Sequence, residues 1–498
     1  MAFGVIAVAG LARVVAFLFY VGCQFTAPRE VFPLEAKMVH LAWRVQHGVR
    51  LYPPWVDGPH VANFFGPCYF VLVGLLGRAT GADLDGLVPI ARAVTVASVL
   101  GMTVLLGLYA ARKYGTGAGL LAAVVSLGSG PLIGFGVMAR PDALADVLGF
   151  MGFLLATSRL RGQVAVGCVL LLVAIFTKQT AVIYLAAAVL AQFLMGRHVA
   201  AAAVAVSVVL TTLAIVAVVT LAIEPGFGPG LLGESRSPWD GLAYRALLVR
   251  LSRTSLDLPV CAGLGMLFWC ARPTRDLRFA ALAATLITAC FVASVKKGAD
   301  LNYFLPLRAV ASLAVATLWS AMKGANGCRA WRLAAAATVA AAALSTTLLP
   351  IAVQTYVAYE FREWLHTRNA QVLLRQYADL VKLARDPSRS ILTDSGHLDI
   401  QRGTGTVFAD PWLFRLLAST ERLNPVDLQR AIENERYDWI VTTKPLEDPE
   451  YATYEFGLPN PLAAAARRHY VFAGQKADLF VYQPRNGQST RGTQSKAK

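Results

Sequence analysis

The chain has 498 residues, 56% of them hydrophobic and only 15% charged, against roughly 25% charged in an average soluble domain. That balance excludes an ordinary soluble protein. The net charge of +16 does not make a nucleic-acid binder either, because the basic residues are scattered between apolar runs. Seven cysteines, with no CxxC pair and none after Cys328, give neither a disulfide framework nor a zinc site.

The first apolar run, 3–22, carries Arg13 and lacks a small-residue cleavage site, so it reads as a retained span rather than a signal peptide. The segment "PREVFPLEAKMVHLAWRVQHGVRLYPP" (28–54) follows. Val39, Leu41, Ala42 and Val45 predict a helix, with Glu35 in its first turn. The helix dipole favours an ionised carboxylate there, which suits a general base and equally suits a helix-capping acid. Glu30, beside Arg29, is the alternative base. The run "FFGPCYFVLVGLLG" (64–77) is too short to span and reads as interfacial.

Longer runs follow at 87–110, 117–138, 142–158, 164–178, 180–195, 199–222, 256–271, 279–295, 302–321 and 333–353. With the first run they make about eleven helical spans, each suited to a ~30 Å hydrocarbon core. With the N-terminus inside, the short inside loops carry Arg112, Lys113, Arg159, Arg161, Arg197, Arg272, Arg275, Arg278, Lys323, Arg329 and Arg332, against one acid, Asp276. This obeys the positive-inside rule, and counting 64–77 as a span would invert every later loop. The chain is thus predicted to be multi-pass in the cell's inner membrane.

The outside face then receives "MARPDALAD", "FTKQTA" and "SVKKGADLNYF". Orientation gives no reason for their charges, and ionisable groups at span ends facing a cavity point to function. Each loop supplies a cation: Arg140, Lys178, and the pair Lys296 and Lys297. Taken singly, Arg140 with Asp142 can close a helix end, and the lysines can be interfacial anchors. Taken together they point to one shared anion, a lipid phosphate, since Arg grips phosphate as a fork and Lys as a point charge. Asn302 and Tyr303 stand by to add hydrogen bonds.

Beyond 354 the chain changes character. Residues 388–394 and 437–443 read as strands, and 469–484 as a hairpin turning at Gly474. "NPVDLQRAIENE" reads as a helix capped by Asn424 with Pro425 at its start. A small soluble α/β domain over 355–485 is expected on the outer face, followed by a polar, disordered tail at 486–498.

These motifs, with "NFFGPCYFVLVGLLGRATG" and "ARAVTVASVLGMTVLLGLYAARKYG", resemble the GT-C superfamily of membrane glycosyltransferases. The likeness is to relatives of protein O-mannosyltransferases and the lipid A aminoarabinose transferase, and it covers most of the chain. It implies a transmembrane catalytic domain over 1–354, with 23–86 as its first outer loop and the soluble domain as a cap. It also implies a polyprenyl-phosphate-linked sugar as donor and a lipid, glycan or protein as acceptor. An acid in the first outer loop would be the base, a place Glu35 occupies, although Pro33 and Leu34 stand where an Asp-Glu pair is commoner. Inverting transfer would use that base, while Arg140 and the lysines stabilise the departing phosphate. A divalent metal serves in some relatives, but no ligand cluster is readable, and no other cofactor is implied. A secondary transporter and a catalytically inactive lipid-binding relative are the rival readings. The transporter would require inverted repeats and charges within the spans.

Overall fold

The apolar runs fold as helices, which satisfy their own backbone hydrogen bonds where water is absent. The computed structural model describes residues 2–25, 34–53, 61–129, 132, 135–233, 239–254, 276–296, 299–324, 368–407, 410–419, 423–454 and 456–486. The helical part comprises α1 (Ala2–Phe25), α2 (Leu34–Gln46), α3 (Cys68–Thr80), α4 (Leu84–Tyr114), α5 (Thr116–Leu127), α6 (Asp142–Ala156) and α7 (Arg161–Ile175). It continues with α8 (Val182–Leu194), α9 (His198–Ala222), α10 (Phe227–Gly233), α11 (Gly241–Thr254), α12 (Leu277–Ala293) and α13 (Leu307–Gly324).

Among the described residues, three helices are long and apolar enough to cross a membrane: Leu84–Tyr114, His198–Ala222 and Leu301–Ser320. The expected spans 256–271 and 333–353 lie outside the described residues. The expected span 117–138 is not one continuous helix. α5 stops at Leu127 and residues 136–137 form a turn. The sequence Gly-Ser-Gly-Pro at 128–131 explains the break, because glycine and proline punctuate helices.

α4 packs on α5 and α6, α6 on α7, α8 on α12, and α13 on α5. Phe150, Phe153, Leu282 and Val310 lie in the core they enclose. Small residues set the spacing: a Cβ on Gly167 of α7 would overlap the backbone of Ala156 in α6, so glycine there lets the two helices meet closely. On the outside, Val104, Leu108, Leu210, Leu213 and Leu221 stay exposed, an apolar surface suited to lipid rather than water.

The first loop folds onto this bundle. α2 and α3 pack on each other. α3 buries Tyr69, Phe70 and Val73 while leaving Leu72, Leu75 and Leu76 exposed. Cys68 N–H donates to Phe176 O at 3.0 Å, and a Cβ on Gly66 would strike that same carbonyl.

Residues 368–486 form an α/β unit. Its helices are α14 (Arg368–Arg385), α15 (Gly396–Ile400), α16 (Pro411–Ser419), α17 (Val426–Glu433) and α18 (Asn460–His469). Its strands β1 (Ile391–Thr393), β2 (Trp439–Thr442), β3 (Tyr470–Lys476) and β4 (Leu479–Pro484) form one sheet in the order β1-β2-β4-β3. β1 and β2 run parallel, and the other pairs are antiparallel. Asn424 Oδ1 accepts from Val426 N–H at 3.2 Å at the start of α17. The hairpin turn falls at Ala477 and Asp478, not at Gly474. Gly474 instead sits at the register break after Phe472 in β3; its φ of +147° suits a bulge, where glycine costs least. Of the expected tail, residues 487–498 lie outside the described residues.

This unit is fastened to the first loop. Lys37 of α2 pairs with Asp410 at 3.1 Å, both buried. Asp85 receives Arg385 at 2.6 Å and Gln401 at 3.1 Å, and Ala62 and Phe64 enter the unit's own core.

Asp394, at the end of β1, accepts hydrogen bonds from Tyr451 Oη and Thr443 N–H, both at 2.7 Å. Burial raises its carboxyl to about 7, against the pull of those hydrogen bonds. A carboxyl raised on folding binds its proton more readily in the native state, so stability is lost as pH climbs toward the folded pKa. The thermal midpoint of the protein is therefore expected to fall between pH 5 and pH 8, and Asp394→Asn to flatten that slope. A slope unchanged in the variant would rule the assignment out.

Candidate active site

Three loops that close adjacent helix ends meet at one carboxylate. Asp142 opens α6, where a carboxylate complements the helix dipole. Its Oδ1 accepts from Lys178 Nζ at 2.5 Å and from Asn302 Nδ2 at 2.7 Å. Its Oδ2 accepts from Arg140 Nε at 3.1 Å. Lys178 stands in the extended residue before the 3₁₀ turn Gln179–Ala181. Asn302 belongs to the 3₁₀ turn Leu301–Phe304, capped by Asp300. Tyr303 places its ring 5.0 Å from Lys178 Nζ. All four polar groups are buried, and Asp142, Lys178, Asn302 and Tyr303 line one small cavity.

Arg140, Asp142, Lys178, Asn302 and Tyr303, expected from sequence, thus form one cluster. Two cations face Asp142 there in a water-poor place, where electrostatic interactions are strengthened. Asp142 takes only Nε of Arg140 and one of the three ammonium protons of Lys178. Lys296 stands apart: its backbone bridges to Trp239, and it does not line the cavity. Lys297 lies outside the described residues.

Glu35, the base expected from sequence, is engaged by a buried cation. Its carboxylate is gripped by Arg92 of α4, with Nε to Oε1 at 2.9 Å and Nη2 to Oε2 at 2.7 Å. Ala139 N–H adds a third bond at 2.9 Å. Both side chains are buried. A two-pronged guanidinium with a backbone amide is a strong, geometrically specific hold on a carboxylate. It ties α2 to α4 and fixes the residue before Arg140. Glu30, the alternative, lies outside the described residues.

Sequence reasoning missed three charged groups. Arg92 also donates to Gln24 O at 2.8 Å, so one guanidinium joins α1, α2 and α4. Arg308 of α13 is fully buried, and its three nitrogens have no hydrogen-bond partner among the described residues. Asp146 lies one turn below Asp142, accepts from Tyr184 Oη at 3.3 Å and lines the cavity. The available signal was a charge inside a predicted span, which calls for a partner or a function. His40 of α2 is also buried, and burial lowers its imidazole to about 3, so it is neutral and carries no charge chemistry. Among the described residues, no group of three or more His, Cys, Asp or Glu side chains is placed to hold a metal ion.

No family model and no curated protein matches the chain. Solved structures do. ArnT from Cupriavidus metallidurans bound to undecaprenyl phosphate matches with a TM-score of 0.59 at 15% identity, over 97% of this chain and 99% of that one. The apo oligosaccharyltransferase of Archaeoglobus fulgidus matches with a TM-score of 0.54 at 13% identity, over 98% of this chain and 75% of that one. The archaeal oligosaccharyltransferase AglB from Archaeoglobus fulgidus, in complex with an inhibitory peptide and a dolichol-phosphate, matches at 0.55 and 14%, over 96% of this chain and 74% of that one. Identity this low establishes the fold alone: the chain shares its overall fold with ArnT and with the archaeal oligosaccharyltransferase.

Proposed function

We propose that the protein transfers a sugar from a polyprenyl-phosphate donor to an acceptor hydroxyl on the outer face of the membrane, with inversion at the anomeric carbon. The observation that carries this reading is the Arg140–Asp142–Lys178–Asn302 cluster, two cations and an amide gathered on one carboxylate at the helix ends. Support comes from the two matched proteins solved with polyprenyl phosphates, undecaprenyl phosphate in one and dolichol-phosphate in the other.

In the proposed reaction the acceptor oxygen bonds to the anomeric carbon while the bond from that carbon to the phosphate oxygen breaks. The electron pair leaves on the phosphate, where Arg140 and Lys178 stabilise the growing charge. The phosphate is a weak base, so the leaving group needs no acid. Asp142 is a positioning residue that aims both cations and Asn302. The acceptor's proton goes to a carboxylate of the first outer loop. With Glu35 engaged by Arg92, we assign that role to Glu30.

Mass spectrometry of lipid co-purified with the full chain tests the reading. A polyprenyl phosphate, with or without its sugar, is expected in wild-type preparations and depleted in Arg140→Gln. Absence of such a lipid, together with no rise in thermal midpoint on adding undecaprenyl phosphate, would overturn it.

A further inference from the structure

α6, α7, α8 and α9 run alternately up and down, so the turns after α6 and α8 lie at the membrane face opposite the Asp142 cluster. There a second, larger cleft of about 760 Å³ opens beside Arg159, Arg161 and Arg197, with no acidic side chain among the described residues that line it. Its wall is apolar, formed partly by Val164 and Val199, and Gln192 of α8 also lines it. Gln192 is fully buried; its Nε2 donates to Ala156 O at 2.7 Å, and its Oε1 has no partner among the described residues.

Orientation explains why arginines occur on one side of a membrane. It does not explain three of them around one cleft, with an unpartnered amide oxygen in the lining and apolar side chains along the wall. We propose that this cleft binds the headgroup of an anionic glycerophospholipid from the leaflet opposite the Asp142 cluster. Arginine forks match its phosphate, and Val164 and Val199 face its upper acyl chains. Gln192 Oε1 is the acceptor for a headgroup hydroxyl, as on phosphatidylglycerol. Basic pockets between transmembrane helices are suited to such headgroups.

The test is native mass spectrometry of the full chain released from nanodiscs of equal parts phosphatidylglycerol and phosphatidylethanolamine. Wild type is expected to retain phosphatidylglycerol in preference by about tenfold or more, since basic residues near the surface attract anionic lipid. Arg159→Gln/Arg161→Gln removes two exposed arginines and leaves Arg197 in its bond to Ser158 O; its preference should fall toward unity. Ala200→Trp keeps every charge and fills the cleft, and should lose at least half of the preference. An unchanged preference in both variants would overturn the proposal. So would equal displacement of the lipid by millimolar inorganic phosphate, which would make the cleft a site for a free anion.

Discussion

Lys178→Met is expected to lower sugar transfer by roughly 10²–10³-fold, the usual cost of removing one donor aimed at a developing anion. The side chain meets Asp142 at 2.5 Å and is buried, so its loss has two consequences. One is catalytic, because a cation is gone from the leaving phosphate. The other is structural, because Asp142 keeps only Arg140 and Asn302, and breaking a buried ion pair costs about 3–5 kcal/mol. A double variant, Lys178→Met/Asp142→Asn, separates them. Removing both charges should restore much of the thermal midpoint, since neighbouring substitutions are not additive, while transfer stays low. If transfer returns with the midpoint, Lys178 is a counter-ion only and the phosphate assignment fails. Lys178→Arg keeps the charge and should retain more transfer than Lys178→Met.

The cluster was legible in the sequence because each member stands at the end of an apolar run, in a short loop where the positive-inside rule leaves a cation unexplained. What the sequence did not show was which group lies at the centre. The spacing makes Asp142 a helix-end partner for Arg140, yet it also holds Lys178 and Asn302, 36 and 160 residues away. That depends on helix packing, which periodicity does not encode. Arg92 and Arg308 were hidden for a related reason: one charge barely lowers the average hydropathy of twenty apolar residues. The strands of the C-terminal unit were legible from alternation and β-branched content, while the position of its hairpin turn was not. Gly474 satisfies a turn and a bulge alike, and the pairing of Phe472 with Tyr482 across β4 decides between them.

The two candidate bases of the first outer loop, Glu30 and Glu35, should separate cleanly. Glu30→Gln removes the carboxylate we assign to the acceptor's proton, and transfer should fall by about 10²–10⁴-fold, the usual share of general-base catalysis. Its thermal midpoint should stay near wild type, and phosphate binding, read by the shift that undecaprenyl phosphate produces, should persist. Glu35→Gln removes the carboxylate that grips the fully buried Arg92, a loss of roughly 3–5 kcal/mol, so the expected signature is a lowered midpoint and yield. Pairing it with Arg92→Met removes the buried guanidinium as well and should recover part of the stability. Transfer by that double variant then decides the role of Glu35. Activity that recovers with the fold makes Glu35 a clamp between α2 and α4, whereas a stable double variant with no transfer, beside a fully active Glu30→Gln, would return the base to Glu35. The geometry favours the clamp: Glu35 accepts from the Ala139 amide, which adjoins Arg140, so the pair with Arg92 sets where the guanidinium we assign to phosphate begins.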